Sequence, residues 1–190
     1  MEKQILYFER KGGANTDQTL EAAHRRAVEL GIRDVVVASN HGETARRAAD
    51  VFSDLKVNLV AVTISEAYRG EGGCMTAVER KRLLDHGITV LTGLHALGDN
   101  VGTAFQRELG GSSREEVVRE TLYRFSQGMK VCVEIVLMAA DAGLINMDRE
   151  VIAIGGTSSG ADTAIVVKPA YAMTFREMEI REIIAKPRIP

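Results

Sequence analysis

The chain has 190 residues, and 24 lysines and arginines against 26 aspartates and glutamates give it a formal charge of −2. This length predicts one domain over residues 1–190, and a content of 45% hydrophobic and 26% charged residues excludes an intrinsically disordered chain. The near-neutral charge gives no reason to expect a nucleic acid or an anionic membrane as partner, because both usually require a basic face.

Few cysteines and short apolar runs predict a cytoplasmic protein. Cys74 and Cys132 form neither a disulfide framework nor a zinc-binding spacing, and their number suits a reducing compartment. The apolar run 5–8 is too short for the core of a signal peptide. The most apolar later stretch, 129–145, contains a lysine, a glutamate and an aspartate and therefore predicts no membrane span.

Seven apolar runs rich in β-branched residues predict strands, and amphipathic runs separate most of them. The stretches 35–38 and 59–62 are continuously apolar, as strands buried on both faces are. The predicted strands cover residues 4–8, 34–38, 58–64, 88–91, 150–154, 163–168 and 179–185.

Three helices are predicted between the first four strands. Residues 19–30 place leucines and alanines on one face and stop at Gly31, and residues 44–52 repeat this pattern. The third helix begins with a capping box at 76–79 and ends at 86–87.

A longer helical region begins at a second capping-box pattern, 113–116. Its later part, 131–140, is nearly all apolar and is therefore expected to be buried. Gly128 predicts either a break or a close approach of the helix to a neighbour, and Gly143 fits a C-terminal cap.

Alternation of strands and helices at this spacing predicts an α/β fold of three layers. We expect a mostly parallel open sheet with helices on both faces. Because no helix separates the last two strands, we expect an antiparallel edge near the C-terminus.

The strand ends are the expected place for a ligand, because open α/β sheets bind ligands beyond the carboxyl ends of their strands. Five of these ends combine glycine with hydroxyl or amide side chains, which allow backbone N–H groups to approach an anion. The candidate binding residues are Gly12, Gly13, Asn15, Thr16, Ser39, Asn40, His41, Gly42, Glu43, Thr44, Thr63, Thr92, Gly93, His95, Gly155, Gly156 and Thr157.

The loop 39–44 is the strongest candidate for an anion site. Ser39, Asn40 and Thr44 surround Gly42, which permits close backbone approach, whereas the charge of Glu43 would compete with a phosphate. A purely conformational role remains the alternative for each loop, since strand–helix turns favour the same residue types.

Known nucleotide and metal signatures are incomplete in this sequence. Residues 155–160 have the glycine spacing of a P-loop, but Ala161 and Asp162 replace its lysine and hydroxyl residue. The segment 70–75 is not a dinucleotide fingerprint, and no histidine and cysteine spacing predicts a metal site.

Histidines and cysteines supply the remaining reactive candidates. His41 and His95 lie at the predicted strand ends as acid–base groups or ligand contacts, although a loop histidine without a role is an equal alternative. Cys74 follows a glycine-rich loop and is expected to be exposed, whereas Cys132 is expected to be inert core. Lys130 and Glu134 have the i, i+4 spacing of a helix salt bridge.

Residues 35–46 resemble the strand, phosphate loop and helix of pyruvate kinase C-terminal domains. In that family a loop rich in serine and threonine binds a phosphate of an allosteric sugar bisphosphate, which corresponds here to Ser39, Asn40, Gly42 and Thr44, with Arg46 beginning the helix. The whole chain is more similar to stand-alone archaeal proteins with a pyruvate-kinase-C-terminal-like fold. The stretches that carry this similarity are 12–16, 130–135, 139–143, 154–157 and 160–164.

The resemblance implies a small-molecule-binding protein rather than a pyruvate kinase, because the catalytic barrel of that enzyme is absent. The implied ligand is a phosphorylated compound of the size of flavin mononucleotide (FMN), held at the carboxyl ends of the strands. Asn40 and Glu43 depart from the hydroxyl-rich loop that binds sugar phosphates.

Two other function classes stay open. One is an enzyme, either a flavin-dependent oxidoreductase or an enzyme acting on a phosphorylated metabolite, with His41, His95 and Cys74 near the strand ends. The other is an allosteric or regulatory module, which predicts a protein partner or a homo-oligomer that depends on the ligand.

Overall fold

A seven-stranded sheet forms the centre of the protein in the computed structural model, which describes residues 2–189. The order of its strands is β1-β7-β6-β5-β2-β3-β4, with numbering in chain order. The strands are β1 Leu6–Phe8, β2 Asp34–Ala38, β3 Asn58–Thr63, β4 Thr89–Thr92, β5 Val151–Gly155, β6 Thr163–Lys168 and β7 Glu179–Pro187.

The sheet is mixed and mostly parallel. Strand β2 pairs in parallel with β3 and β5, so that Val36 lies opposite both Val60 and Ala153. Strand β6 runs antiparallel to β5 and β7, and β1 adds to β7 in parallel. The predicted α/β class with an antiparallel C-terminal part is therefore confirmed, with β1 as the outermost strand beside it.

Six α-helices flank the sheet in residues 2–189, and none of them is long and apolar enough to cross a membrane. Gly31, with φ of +66°, ends the first helix, as the sequence predicts. The predicted capping box of Thr76 and Glu79 also forms. The helices are α1 Thr16–Leu30, α2 Glu43–Val51, α3 Ala77–Asp85, α4 Val101–Leu109, α5 Arg114–Tyr123 and α6 Gln127–Asp141.

The two faces of the sheet bury separate apolar cores, which makes the fold three-layered. Val35 packs on one side with Leu20 of α1 and Phe52 after α2. Val36 points to the opposite side, where Met129 and Leu137 of α6 pack. This alternation follows from the pleat, because successive residues of a strand face opposite sides of the sheet.

The long helical region that the sequence predicts is divided in the structure. Helix α5 ends at Tyr123, and the hydroxyl of Ser126 caps α6 by accepting a hydrogen bond from the Met129 amide. Gly128 lies inside α6, where a Cβ atom would be 2.6 Å from Thr163 Cβ. Of the two alternatives that were open for Gly128, close approach is the correct one. Helix α4 was not predicted.

Candidate functional site

The carboxyl ends of β2 to β5 border a cleft of about 500 Å³. One wall is the loop between β2 and α2, another is formed by the loops after β3 and β4, and α6 supplies the floor. The lining residues are Ala38, Ser39, Asn40, His41, Glu43, Thr44, Val62, Thr63, Ile64, Tyr68, His95, Asp99, Gln127, Lys130, Val131, Glu134, Ile135, Met138, Gly156, Ser158, Ser159 and Gly160.

The loop 39–42 places the amino end of α2 at this cleft. Ser39 Oγ accepts a hydrogen bond from the Ala45 amide at 3.2 Å, and Asn40 Oδ1 accepts one from the Ile64 amide at 3.1 Å. Both side chains therefore hold the loop in place, while the Nδ2 amino group of Asn40 donates to no acceptor within the described residues 2–189.

Gly42 is required by conformation and by packing on α3. Its φ of +89° is left-handed, and a Cβ atom at this position would be 3.1 Å from the side chain of Leu83. The residue is buried and does not line the cleft. Because Gly42 has no Cβ atom, the backbone of this loop can approach the Leu83 side chain closely.

The first turn of α2 presents amide donors that have no acceptor among residues 2–189. Bonding within the helix begins with the Arg46 amide, which donates to Gly42 O at 2.9 Å, so the amides of Glu43 and Thr44 have no helical acceptor. Thr44 adds a hydroxyl group to the cleft. Arg46 Nη2 lies 3.0 Å from Glu43 Oε1 and offsets the charge of that carboxylate.

His95, Tyr68 and Asp99 form a hydrogen-bonded cluster on a second wall. His95 Nε2 accepts from the Ser65 amide at 3.3 Å, which places the proton of a neutral ring on Nδ1, 3.4 Å from Asp99 Oδ2. The ring of Tyr68 stacks on His95 with 6.2 Å between centroids.

The pKa values in this cluster shift because its members share hydrogen bonds. The hydrogen bond to Asp99 raises the pKa of Tyr68, and burial raises it further. Burial is the largest single influence on Asp99 and acts to raise its pKa, but the bonds from Tyr68 and His95 and the charges of His95 and Arg107 together lower it. The cluster thus favours a charged Asp99 beside a neutral Tyr68.

Lys130 and Glu134 form a buried ion pair on the floor of the cleft. Lys130 Nζ lies 2.6 Å from Glu134 Oε2, and the two residues are only 9% and 4% exposed. Glu134 Oε1 also accepts a hydrogen bond from the Leu97 amide at 3.0 Å. The predicted i, i+4 pair is present, and it lies in the site instead of on a solvent-facing helix surface.

The remaining candidates at β3 and β4 belong to one hydroxyl network. Thr63 lines the cleft, and its Oγ1 lies 2.6 Å from Thr92 Oγ1. Thr92 also accepts a hydrogen bond from Arg80, while neither Thr92 nor Gly93 lines the cleft.

The loop after β1 lies beside the cleft and supports one of its walls. The Gly12 amide donates to Asp162 Oδ2 at 2.8 Å, and the Ala161 amide donates to Thr16 Oγ1 at 3.0 Å. Gly13 and Asn15 belong to the same loop, and these four candidates do not line the cleft. They hold the β5–β6 loop, of which Gly156 and residues 158–160 do line it.

Gly155 and Thr157 flank the lining residue Gly156 but face other elements. A Cβ atom on Gly155 would lie 2.9 Å from Gly128 O of α6, so this glycine permits close helix packing. Thr157 is buried, and its hydroxyl has no hydrogen-bond partner among residues 2–189.

The other reactive candidates divide into exposed and buried groups. His41 lies at the rim, with Nδ1 3.4 Å from Glu79 Oε1 of the α3 capping box. The expectation that Cys74 is exposed is wrong, because the residue is buried and its thiol donates to Ser65 O at 3.3 Å. Cys132 is fully buried, and burial raises the pKa of its thiol, which confirms inert core.

Several lining residues were not among the predicted candidates, chiefly Tyr68, Asp99, Lys130, Glu134 and Met138. The helix α6 was correctly expected to be buried, but its position under the strand ends depends on packing between distant parts of the chain. Asp99 had a local signal in the sequence, since Gly98, Asp99 and Asn100 are residue types that favour turns. In the structure Asp99 adopts a left-handed φ of +53°.

A comparison with known protein families agrees with this architecture. The family described as the pyruvate kinase alpha/beta domain matches residues 17–167 of the 190-residue chain. The match extends from the first turn of α1 through most of β6, and it includes the whole loop at the amino end of α2. The chain therefore belongs to the pyruvate kinase alpha/beta domain family.

Proposed function

We propose that the protein binds a phosphorylated small molecule in the cleft, with FMN as the ligand. The observation that carries this proposal is that the free amino end of α2 opens into a cleft of about 500 Å³. Sites for small molecules typically have volumes of about 300–1,000 Å³.

The phosphate is assigned to the first turn of α2. The amides of Glu43 and Thr44 and the hydroxyl of Thr44 are donors, and the positive end of the helix dipole favours an anion there. The Nδ2 amino group of Asn40 adds a donor from the loop, because its Oδ1 is already bonded to Ile64. The Glu43 carboxylate is held by Arg46, which reduces its repulsion of a phosphate.

The remainder of the ligand is assigned to the apolar part of the cleft. Ile64, Val131, Ile135 and Met138 line it, and the ring of Tyr68 stands beside them. Aliphatic side chains and an aromatic face suit a flat conjugated ring such as that of a flavin.

A titration with FMN and with riboflavin, which lacks the phosphate, tests the proposal. Thr44→Val removes one hydroxyl donor at similar volume and should weaken FMN binding about tenfold to a hundredfold, as expected for a hydrogen bond to a charged group. Riboflavin affinity should stay unchanged. Thr121→Val, an exposed position on α5, is the matched control and should change neither affinity.

Equal losses for both flavins, or no loss for either, would place the phosphate away from α2. A wild-type protein that binds neither flavin overturns the assignment of FMN. Gly42→Val is unsuitable as a variant, because the left-handed φ and the contact with Leu83 would disturb folding.

An enzyme is the second candidate function, favoured by the His95, Tyr68 and Asp99 cluster beside the Lys130 and Glu134 pair. Such groups supply general acid and base catalysis when a substrate lies within hydrogen-bond reach. Substrate-dependent bleaching of bound flavin would identify an oxidoreductase, and His95→Gln should then slow it. A bound flavin that no candidate substrate reduces favours a passive binding protein.

A further inference from the structure

The ammonium group of Lys130 is a buried charge that borders the cleft. It lies in the apolar part of the cleft, and the Lys130 side chain is only 11% exposed. A lysine ammonium carries three donors, and within residues 2–189 its hydrogen bond is to Glu134 Oε2.

Stability alone gives little reason for this pair. Burying two charges costs about as much as their attraction returns, and apolar residues of similar volume often stabilise as well or better. The neighbours Val131, Ile135 and Met138 are such residues on the same helix. The pair is therefore better explained by an interaction that the lysine makes in the cleft.

Glu134 holds the ammonium in a fixed place. One carboxylate oxygen accepts from Leu97 in the segment between β4 and α4, and the other bonds Lys130. The carboxylate is anchored to the backbone at one side, so the lysine does not sample the conformations of a free surface side chain. A donor fixed in this way suits recognition of a particular ligand atom.

We propose that Lys130 is a second polar subsite, which donates to a carbonyl or anionic oxygen on the part of the ligand remote from the phosphate. Glu134 is the positioning residue. The inference rests on the proposed function and narrows its ligand class to phosphorylated compounds whose ring or chain carries such an acceptor. A phosphorylated compound with a purely hydrocarbon body would leave the ammonium without a ligand partner.

The first test compares two double variants in flavin titrations. Lys130→Met with Glu134→Gln removes both charges together, and the introduced amide keeps an oxygen for the Leu97 N–H group, which protects folding. The control, Lys81→Met with Asp85→Asn, removes a pair of the same spacing on exposed α3. Affinity for FMN and for riboflavin should fall by the same factor, about tenfold or more, in the first variant only.

This pattern differs from the one that tests the phosphate. Thr44→Val should lower the affinity for FMN and leave the affinity for riboflavin unchanged, whereas loss of the Lys130 subsite should lower both affinities by the same factor. Unchanged flavin affinity in a folded Lys130 and Glu134 variant, checked by circular dichroism, would overturn the subsite even if the phosphate assignment holds.

A second test does not depend on flavin. Pyridoxal 5′-phosphate carries a phosphate and an aldehyde. At alkaline pH the ammonium of a lysine loses a proton to solvent, and the resulting neutral amine attacks the aldehyde carbon to form an imine with loss of water. Borohydride then delivers hydride to the imine and fixes the label as a secondary amine. Peptide mass spectrometry should find Lys130 labelled before the exposed Lys81, with inorganic phosphate suppressing the label at Lys130.

Labelling that follows exposure alone, with Lys81 modified and Lys130 not, would overturn the subsite. Labelling of Lys130 by a protein that binds no flavin would support the subsite while removing FMN from the proposed function. The two proposals therefore fail by different results.

Discussion

Asp99 is the carboxylate that contacts the charged and polar side chains on one wall of the cleft. Asp99 Oδ2 lies 3.4 Å from His95 Nδ1, and Asp99 Oδ1 accepts a hydrogen bond from Arg107 Nη2 at 3.3 Å. The carboxylate also raises the pKa of Tyr68. Its backbone has a φ of +53°, which side chains other than glycine, asparagine and aspartate rarely adopt. Conformation and charge both favour aspartate at this position.

Asp99→Asn should remove an acid-dependent part of the stability while preserving the left-handed backbone. The pKa of Asp99 is lower in the folded protein than its ordinary value of 3.8. A lowered pKa contributes stability above the unfolded value, and that stability is lost as the pH falls through the folded pKa. In urea unfolding, the difference between wild type and variant should be constant above about pH 5 and shrink below about pH 4. A difference independent of pH would contradict the lowered pKa.

Residue-scale features were predicted from the sequence where they depend on neighbours in the chain. The Thr76 capping box and the Gly31 cap involve residues within one turn, and both are present. The roles of Tyr68 and Asp99 were not predicted, because these residues are 31 positions apart and meet only when β3 and β4 pair.

Helix α6 is the element on which the site rests, and it approaches the sheet unusually closely at Gly128. A Cβ atom there would lie 2.8 Å from Asp162 Oδ1 and 2.6 Å from Thr163 Cβ. The same approach brings Gly155 of β5 against α6. Lys130 and Glu134 reach the floor of the cleft because the first turns of α6 pack this closely against β5 and β6.

Gly128→Ala should destabilise the protein although alanine favours helices. The gain in helix propensity is about 1 kcal/mol, whereas forcing a methyl group into a filled interior typically costs about 1–3 kcal/mol. Because the contacts are with a strand end and a buried carboxylate, we expect a cost of about 2–3 kcal/mol, which leaves a net loss of about 1–2 kcal/mol in the free energy of unfolding. Urea denaturation measures it.

Gly70→Ala is the control for this substitution. Gly70 has open space around its Cβ position, and its φ lies outside the left-handed region. Its stability change should stay within about 0.5 kcal/mol. Equal effects of the two substitutions on stability would mean that the contact of α6 with the sheet at Gly128 tolerates a methyl group.

At the scale of elements, the strands were predicted more accurately than the helices. Strands β2 and β6 have the predicted bounds, because uninterrupted runs of β-branched residues are typical of buried strands. Helix α4 has an apolar stripe at i, i+4 and i+8, formed by Val101, Phe105 and Leu109, and the sequence-based prediction did not use this pattern. All three side chains are exposed in the structure instead of facing the core. The gap between α5 and α6 contains neither glycine nor proline, the residues that usually mark an interruption.

At the scale of the whole molecule, Asp162 joins three elements that are distant from one another in the chain. The fully buried carboxylate accepts from the Gly12 amide at 2.8 Å and from Thr163 Oγ1 at 2.8 Å. Thr163 Oγ1 in turn lies 3.0 Å from Ser126 Oγ, which caps α6. One side chain therefore connects the loop after β1, the entry to β6 and the start of α6. The glycine-rich loops at 12–16 and 155–160 were expected to surround a ligand together, and this network explains why only the second borders the cleft.

Asp162→Ala should destabilise the entire fold, because it removes the acceptor of the half-buried Gly12 amide and of the buried Thr163 hydroxyl. An unsatisfied buried group costs about 1–3 kcal/mol, and the half-buried amide of Gly12 should cost about 1 kcal/mol, so a loss of about 2–4 kcal/mol in unfolding free energy is expected. Asp162→Asn should cost less than half as much, since its oxygen can accept from Gly12 and its amino group can donate to Thr163 Oγ1. Asp148→Ala, at an exposed position, serves as the control and should change stability by less than about 0.5 kcal/mol.

Urea unfolding followed by circular dichroism and by tyrosine fluorescence should give coincident, shifted transitions for Asp162→Ala. Similar losses for alanine and asparagine, or a shift in one signal only, would show that Asp162 does not join these elements into one cooperative unit.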